Sequence, residues 1–179
     1  RLLGEGQSDT LNGDDGDDTL IGGGGDDMIR GGNGIDNLNG QSGRDNLDGG
    51  ADADTAFRGA GPDTLTGGQG IDNLDGQGSS FDTIILTGEA TDDVFTLDRS
   101  ANFNQLRKTS GTTYGVNFKR TETIQINTLD GNDTITVIAD LDGTDGDAAF
   151  VVDFGNGNNL LDASANMDSG KAFIVTAGT

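Results

Sequence analysis

The sequence predicts an all-β protein in which short strands stack into a coil, and three observations support this prediction. Between Gly4 and Asp75 the chain repeats every nine residues, with an acid and an apolar residue at fixed places. After residue 83 the repeat gives way to apolar, β-branched runs between glycine- and asparagine-rich turns, a pattern typical of strands. No long helical period is visible in either half.

The first half of the chain consists of eight nine-residue units without a gap, although a net charge of −21 and 32 glycines would by themselves suggest disorder. The units read GEGQSDTLN, GDDGDDTLI, GGGGDDMIR, GGNGIDNLN, GQSGRDNLD, GGADADTAF, RGAGPDTLT and GGQGIDNLD. The sixth position is always aspartate: Asp9, Asp18, Asp27, Asp36, Asp45, Asp54, Asp63 and Asp72. The eighth is always apolar: Leu11, Leu20, Ile29, Leu38, Leu47, Ala56, Leu65 and Leu74. A disordered segment has no reason to maintain such a register, so the repeat predicts a fold.

Each unit combines a turn with a very short strand. Glycines at positions one, two and four permit positive φ and a close approach of backbone to a ligand, so positions one to six are predicted to form the turn. Positions seven to nine suit a strand, and alternation points the position-eight side chain inward. One strand and one turn per nine residues predict a flattened coil with two units in each 18-residue winding.

This coil predicts a row of aspartates along each of its two edges, in six stacked pairs: 9/27, 18/36, 27/45, 36/54, 45/63 and 54/72. Calcium takes six to eight oxygens from carboxylates and backbone carbonyls, which two stacked turns supply. Asp15 and Asn33, at position three, are candidate additional ligands. Zinc prefers nitrogen and sulfur, and magnesium usually keeps several waters, so calcium is the predicted cofactor, with up to about six ions.

The unit resembles G-G-x-G-x-D-x-U-x, the nonapeptide of the RTX (repeat-in-toxin, haemolysin-type) calcium-binding family. The resemblance covers residues 4–75 and weakens at 76–84, where an inserted residue moves the acid to Asp82 and the apolar position to Ile84. It implies a parallel β-roll that is exported by type I secretion from a bacterium and folds on calcium outside the cell or at its surface. It also implies a larger parent protein, since relatives place such rolls beside enzymes, cytolysins and adhesive proteins.

Three units depart from the pattern, which is expected to weaken the pairs 36/54, 54/72 and 9/27. Asp52 replaces a glycine at position four, and two readings stay open for it, an extra ligand or a surface variant. Arg58 stands at position one and Pro62 at position five of the seventh unit, and Gln7 at position four of the first.

The second half is predicted to continue the coil or to cap it, as a β-rich or β-helix-like region. The composition changes near 76–82, which divides the chain into a calcium-binding roll, 1–82, and a continuation or capping region, 83–179. The segment LDGNDTITV (129–137) echoes the repeat, so Asp133 is either a calcium ligand or part of an ordinary turn. The segment QLRKTSGTTYGVNFK (105–119) is predicted to form a hairpin.

Composition excludes several classes of function. Without cysteine or histidine the chain cannot build thiolate zinc sites, Ser-His-Asp triads or H-E-x-x-H sites. Its acidity argues against binding to nucleic acid or anionic membranes, and no apolar run is long enough to span a membrane. Since the chain begins at Arg1 rather than Met, we expect a fragment or a processed product.

Three functions remain after these exclusions. The first is a calcium-binding module of a secreted protein that stabilises the larger parent chain. The alternative is a surface adhesin that binds an acidic glycan through the basic stretch 99–121, which contains Arg99, Arg107, Lys108, Lys119 and Arg120. The other interpretation of that stretch is a solvated, charge-balancing surface. Catalysis is not expected, because the regular aspartates are better explained as ligands than as the acid and base of a glycosidase.

Overall fold

The computed structural model describes residues 1–75, 83–87, 94–99, 104–108, 114–119, 123–137, 149–162 and 173–177. Within these ranges the chain forms β-strands and no helix, and so contains no helix that is long and apolar enough to cross a membrane. The strands of the repeat region are β1 (Leu2–Glu5), β2 (Thr10–Asp15), β3 (Thr19–Gly24), β4 (Met28–Asn33), β5 (Asn37–Ser42), β6 (Asn46–Ala51), β7 (Thr55–Ala60), β8 (Thr64–Gly68) and β9 (Ile71–Asp75). Those of the second half are β10 (Thr83–Thr87), β11 (Val94–Arg99), β12 (Asn104–Lys108), β13 (Tyr114–Lys119), β14 (Thr123–Leu129), β15 (Thr134–Val137), β16 (Ala149–Phe154), β17 (Leu160–Asp162) and β18 (Phe173–Ala177).

The strands wind into a flattened parallel coil, which confirms the predicted β-roll. Odd-numbered strands of the repeat region pair with one another in one sheet, and even-numbered strands in the opposite sheet. Partners are 18 residues apart, as in Leu20 with Leu38 and Leu11 with Ile29. One winding therefore contains two units, and equivalent positions of alternate units lie directly above one another.

The strands are longer than the sequence predicted, and the turns correspondingly shorter. Most strands of the repeat region run for six residues, through positions seven to nine of one unit and one to three of the next. The prediction that positions one to six form the turn was therefore wrong. The reason is that position two also pairs with the winding above or below, even where its φ is positive, as at Gly32 (φ 117°).

A single file of apolar side chains forms the core of the roll. Position eight is buried in the first seven units, and the row continues into the second half. The residues that extend it are Ile84, Leu86, Ile124, Ile126, Ile135, Val152 and Phe154. Alternation along each strand places these side chains inside, as predicted, and turns their neighbours outward.

Each of the two sheets contains strands from both the repeats and the second half. In one sheet β8 pairs with β10, where Leu65 lies opposite Ile84, a spacing of 19 that confirms the inserted residue. Asp82 itself lies outside the described residues. In the other sheet β9 pairs with β13, and the antiparallel strands β11, β12 and β13 interrupt the parallel order. The pairing of β12 with β13 confirms the predicted hairpin, and the domain boundary near residue 82 stays a prediction.

Candidate metal centre

The aspartates at position six stack into two columns, one along each edge of the roll. In six consecutive pairs the Oδ1 atom of one aspartate accepts the backbone N–H of the aspartate 18 residues before it. Asp27 Oδ1, for example, accepts the N–H of Asp9 at 2.9 Å. The pairs are those that the sequence predicted: 9/27, 18/36, 27/45, 36/54, 45/63 and 54/72. They include the three that were expected to be weakened.

A small space beside the position-one residue recurs in six units, and we call it the cradle. Its two walls are the Oδ2 atom of the position-six aspartate in the same unit and the carbonyl oxygen of the position-one residue 18 residues later. A Cβ atom added to Gly4 would lie 2.6 Å from Asp9 Oδ2 and 2.5 Å from the Gly22 oxygen. The same arrangement surrounds Gly13, Gly22, Gly31, Gly40 and Gly49. Glycine is needed here because any side chain would fill the space.

In five of the six cradles the Oδ2 atom is buried and accepts no hydrogen bond from the described part of the chain. These atoms belong to Asp9, Asp27, Asp36, Asp45 and Asp54, and Asp72 Oδ2, outside the six cradles, is buried in the same way. A buried carboxylate oxygen without a donor is unfavourable unless a cation or proton satisfies it. No group of three or more acidic side chains within metal-binding reach occurs among the described residues, so backbone carbonyls would have to complete any ion's coordination. Such a mixed, all-oxygen donor set fits calcium.

A second ladder at position five was missed by the sequence analysis. The side-chain oxygen of position five accepts the N–H of the residue 18 positions later: Ser8 from Asp26, Asp17 from Ile35, and Asp26 from Arg44. These side chains are exposed. Their hydrogen bonds point in the opposite direction to those of position six, because here the acceptor precedes the donor by 18 residues, whereas at position six it follows the donor. The oxygen-bearing residues Ser8, Asp17 and Asp26 are visible in the sequence, but which amide they bind depends on how the windings stack.

Position three does not contribute to the cradles in this structure. Asp15 and Asn33 are both exposed, and the Asn33 side-chain amide donates to Asp15 Oδ1 at 2.8 Å. Their role as ligands therefore stays a prediction. Asp52 is exposed as well and adopts a φ of 74°, so it occupies a left-handed position that glycine takes in most other units.

Residues 128–133 and 154–159 repeat the bonding pattern of the roll at a spacing of 26 residues. The Asp133 N–H donates to Asn159 Oδ1, and the Asn158 N–H donates to Asn132 Oδ1, as positions six and five do in the repeats. Leu129 has a φ of 61°, matching position two. The echo seen in LDGNDTITV is therefore a true structural repeat. Asp133 is fully buried, and its assignment as a calcium ligand stays a prediction.

Burial raises the pKa of five position-six carboxyl groups, those of Asp36, Asp45, Asp54, Asp63 and Asp72. It raises the pKa of Asp45 to about 6, and the pKa values of Asp54 and Asp72 to about 7. Loss of hydration is the largest cause, the backbone N–H of the preceding aspartate acts in the opposite direction, and the charges of neighbouring aspartates add to the increase. Without a cation, these stacked carboxylates therefore hold protons that free aspartates would release.

We expect the metal-free protein to lose stability as the pH rises. Asp54 and Asp72 have folded-state pKa values of about 7 against an ordinary value of 3.8, so the folded state binds more protons between these limits. Stability is then greatest below about pH 4 and falls as the pH rises to about 7. Circular dichroism in a chelator between pH 4 and pH 8 measures the folded fraction, and urea unfolding adds the free energy at those pH values where the metal-free roll is folded.

The same titration on Asp54→Asn provides the control for the pH dependence. Asparagine resembles the protonated acid at every pH, so this variant should show a flatter profile. Stability of the metal-free protein that increases between pH 4.5 and pH 8 would contradict the prediction.

Two residues of the basic stretch are described in enough detail to locate their side chains. Lys108 is fully buried, and Arg107 is partly buried near Asp72, whose charge opposes the lowering of the Arg107 pKa by burial. The side chains of Arg99 and Lys119, and all of Arg120, lie outside the described part. Lys108 at least is therefore unable to contact a glycan, and Arg107 contributes positive charge beside the roll's acidic edge.

Comparison with protein families matches the repeat region alone. Four copies of the model described as RTX calcium-binding nonapeptide repeat match residues 3–38, 21–56, 30–65 and 57–80. No curated protein matches the chain. The family match thus covers the part of the chain in which the cradles occur.

Proposed function

Residues 3–80 belong to the RTX calcium-binding nonapeptide repeat family, and from this premise we propose that calcium binding in the cradles folds and stabilises the roll of a secreted protein. A calcium-binding β-roll module is what the family and the parallel coil support. The proposal goes further by assigning the position-six aspartates as ligands, by setting the number of ions at up to about six, and by placing folding outside the cell.

The observation that carries the proposal is the set of six cradles. Each pairs an aspartate Oδ2 atom, buried in five of the six, with a backbone carbonyl from the next winding, beside a position where only glycine leaves room. Calcium would supply positive charge between adjacent windings. Asp9, Asp18, Asp27, Asp36, Asp45 and Asp54 would contribute the Oδ2 oxygens, and the remaining ligands would include backbone carbonyls. Asp63 and Asp72 would complete the upper pairs of the two columns through their Oδ1 hydrogen bonds.

The protein's own geometry explains why such a module would respond to calcium. In four of the six cradles the Oδ1 atom already accepts a backbone N–H, which fixes the carboxylate and directs its Oδ2 atom into the cradle. Stacked carboxylates repel one another when no cation is present, so folding and ion binding are coupled. A net charge of −21 would fall to about −9 with six ions.

We place the protein outside a bacterial cell or on its surface, as part of a larger exported chain that the roll stabilises. Low calcium in the cytosol would leave the repeats unfolded for export, and the higher calcium outside would fold them. The role is structural rather than catalytic, since the regular aspartates are accounted for by the two columns. No observation favours the glycan-binding alternative, and the burial of Lys108 argues against it.

Replacing a single cradle aspartate tests the assignment of ligands. Asp36→Asn keeps the Oδ1 acceptor for the Asp18 N–H but removes the charge and one carboxylate oxygen from the cradle beside Gly31. We expect one bound calcium fewer, and on the order of tenfold more calcium needed for half-maximal folding. Equilibrium dialysis counts the ions, and circular dichroism follows folding.

Asp17→Asn is the matched control, because Asp17 lies one winding before Asp36 and its exposed side chain carries the same charge. Its Oδ1 atom can still accept the Ile35 N–H, so the position-five ladder is preserved. We expect wild-type stoichiometry. Equal calcium binding by wild type and Asp36→Asn would overturn the ligand assignment.

A further inference from the structure

The turns at 128–133 and 154–159 stack with the hydrogen bonds of the roll, although the family match ends at residue 80. Besides the bonds of positions five and six, the Gly131 N–H donates to the Asn156 carbonyl at 2.9 Å. In the repeats, position four donates in the same way to position three of the next winding. The hydrogen bonds therefore number each of these two turns from one to six, as in a repeat unit.

This numbering places Thr128 at position one of the lower turn and Asp133 at position six. In the roll these two positions lie against each other, since a Cβ atom added to Gly13 would lie 3.1 Å from Asp18 Oδ2. The pairing of β14 with β16 is irregular at Thr128, and such an irregularity changes the direction of a side chain. It accounts for a threonine at a position where the roll requires glycine.

The Thr128 hydroxyl indicates a ligand at this place. The Thr128 side chain is fully buried, and its Oγ1 atom forms no hydrogen bond within the described part of the chain. A buried hydroxyl in that state is unfavourable unless a ligand satisfies it. Asp133, five residues later, is also fully buried, and its carboxylate supplies the negative charge that a cation needs.

We infer that Thr128 and Asp133 hold a further calcium ion between the two windings of the second half. Thr128 Oγ1 supplies an oxygen where the repeats leave room with glycine, and backbone carbonyls complete an all-oxygen ligand set. The upper turn has Asn159 where the roll has a second aspartate, and the Asn159 amide donates to the Gly155 carbonyl at 3.3 Å. With one carboxylate fewer, this site binds calcium more weakly than the cradles and fills after them.

Asp133→Asn tests the carboxylate ligand. The variant removes the charge but keeps an oxygen, and we expect one bound calcium fewer than in wild type, lost from the weakest-binding ions in equilibrium dialysis. Asp130→Asn is the matched control, because Asp130 is an exposed residue of the same turn. Its Oδ1 atom can still accept the Asn156 N–H, so the wild-type count is expected.

Thr128→Val tests the hydroxyl while keeping the charge and the shape of the side chain. We expect the weakest-binding ion to need on the order of tenfold more calcium. At saturating calcium the urea midpoint should lie below that of Thr123→Val, a half-buried threonine on the outer face of the same strand. A buried hydroxyl that binds nothing predicts the opposite, because valine would remove an unsatisfied polar group.

An Asp133→Asn protein with the wild-type count, or a Thr128→Val protein at least as stable as Thr123→Val, would overturn the inference. The proposed function is judged separately, since the cradles of the roll are tested by the loss of one ion in Asp36→Asn. Wild-type protein that binds no calcium would reject both.

Discussion

Removal of calcium is expected to unfold residues 3–80. The roll's core is one apolar side chain per nine residues, and its columns bring buried carboxylates close together. An ion present at a hundred times its dissociation constant adds about 2.7 kcal/mol, so six would add roughly 16 kcal/mol, as much as the whole stability of a typical domain. Removing calcium with a chelator is therefore expected to lower the free energy of unfolding by more than its total value.

Hydrogen exchange and circular dichroism, measured while calcium is titrated, test this expectation. Protection of the amides in the repeats should appear together with the bound ions, in the range of about 0.1–1 mM calcium that is usual for extracellular modules. Magnesium at equal concentration serves as the control and should restore little structure. A repeat region that stays protected in a chelator at pH 8 would contradict the coupling of folding to calcium.

Gly31→Ala is expected to disrupt the middle of the roll even when calcium is abundant. Its added Cβ atom would meet the Asp36 Oδ2 atom and the Gly49 backbone oxygen at less than any normal contact distance, and the Asp36 Cγ atom at 2.9 Å. The Gly49 carbonyl belongs to the next winding, so it cannot move away without separating the two windings. We expect a loss of about 3 kcal/mol in unfolding free energy, with one calcium ion fewer.

Gly24→Ala is the control for this substitution. Gly24 lies in the preceding unit, its φ is not in the left-handed region, and a Cβ there would have no neighbour closer than 3.9 Å. Its stability should equal that of wild type or exceed it slightly, because alanine reduces the freedom of the unfolded chain. Urea unfolding of both variants at saturating calcium makes the comparison. If Gly31→Ala matches Gly24→Ala, the close packing of the cradle is refuted.

The second half shows where inference from the sequence succeeded without the help of a repeat. The apolar runs predicted as strands correspond to β10, β11 and β14–β18, and the predicted hairpin corresponds to β12 and β13. Their order in the sheets was not foreseen. Strand β13 lies on β9 rather than beside a neighbour in sequence, and β11 pairs with β15. Such pairings join distant segments, which local sequence patterns do not encode.

The nine-residue period alone determined the coil of two units per winding, the apolar file inside it and the two columns of aspartate. These follow from sequence because every unit has the same local geometry and each repeats its neighbour's register. Only the tertiary structure decided that Oδ1 binds an amide while Oδ2 faces a cradle, that Arg58 lies buried at Asp63's unit, and that Lys108 is hidden from solvent. Each of these features depends on which atoms of one winding contact the next winding. The order of residues along the chain does not specify those contacts.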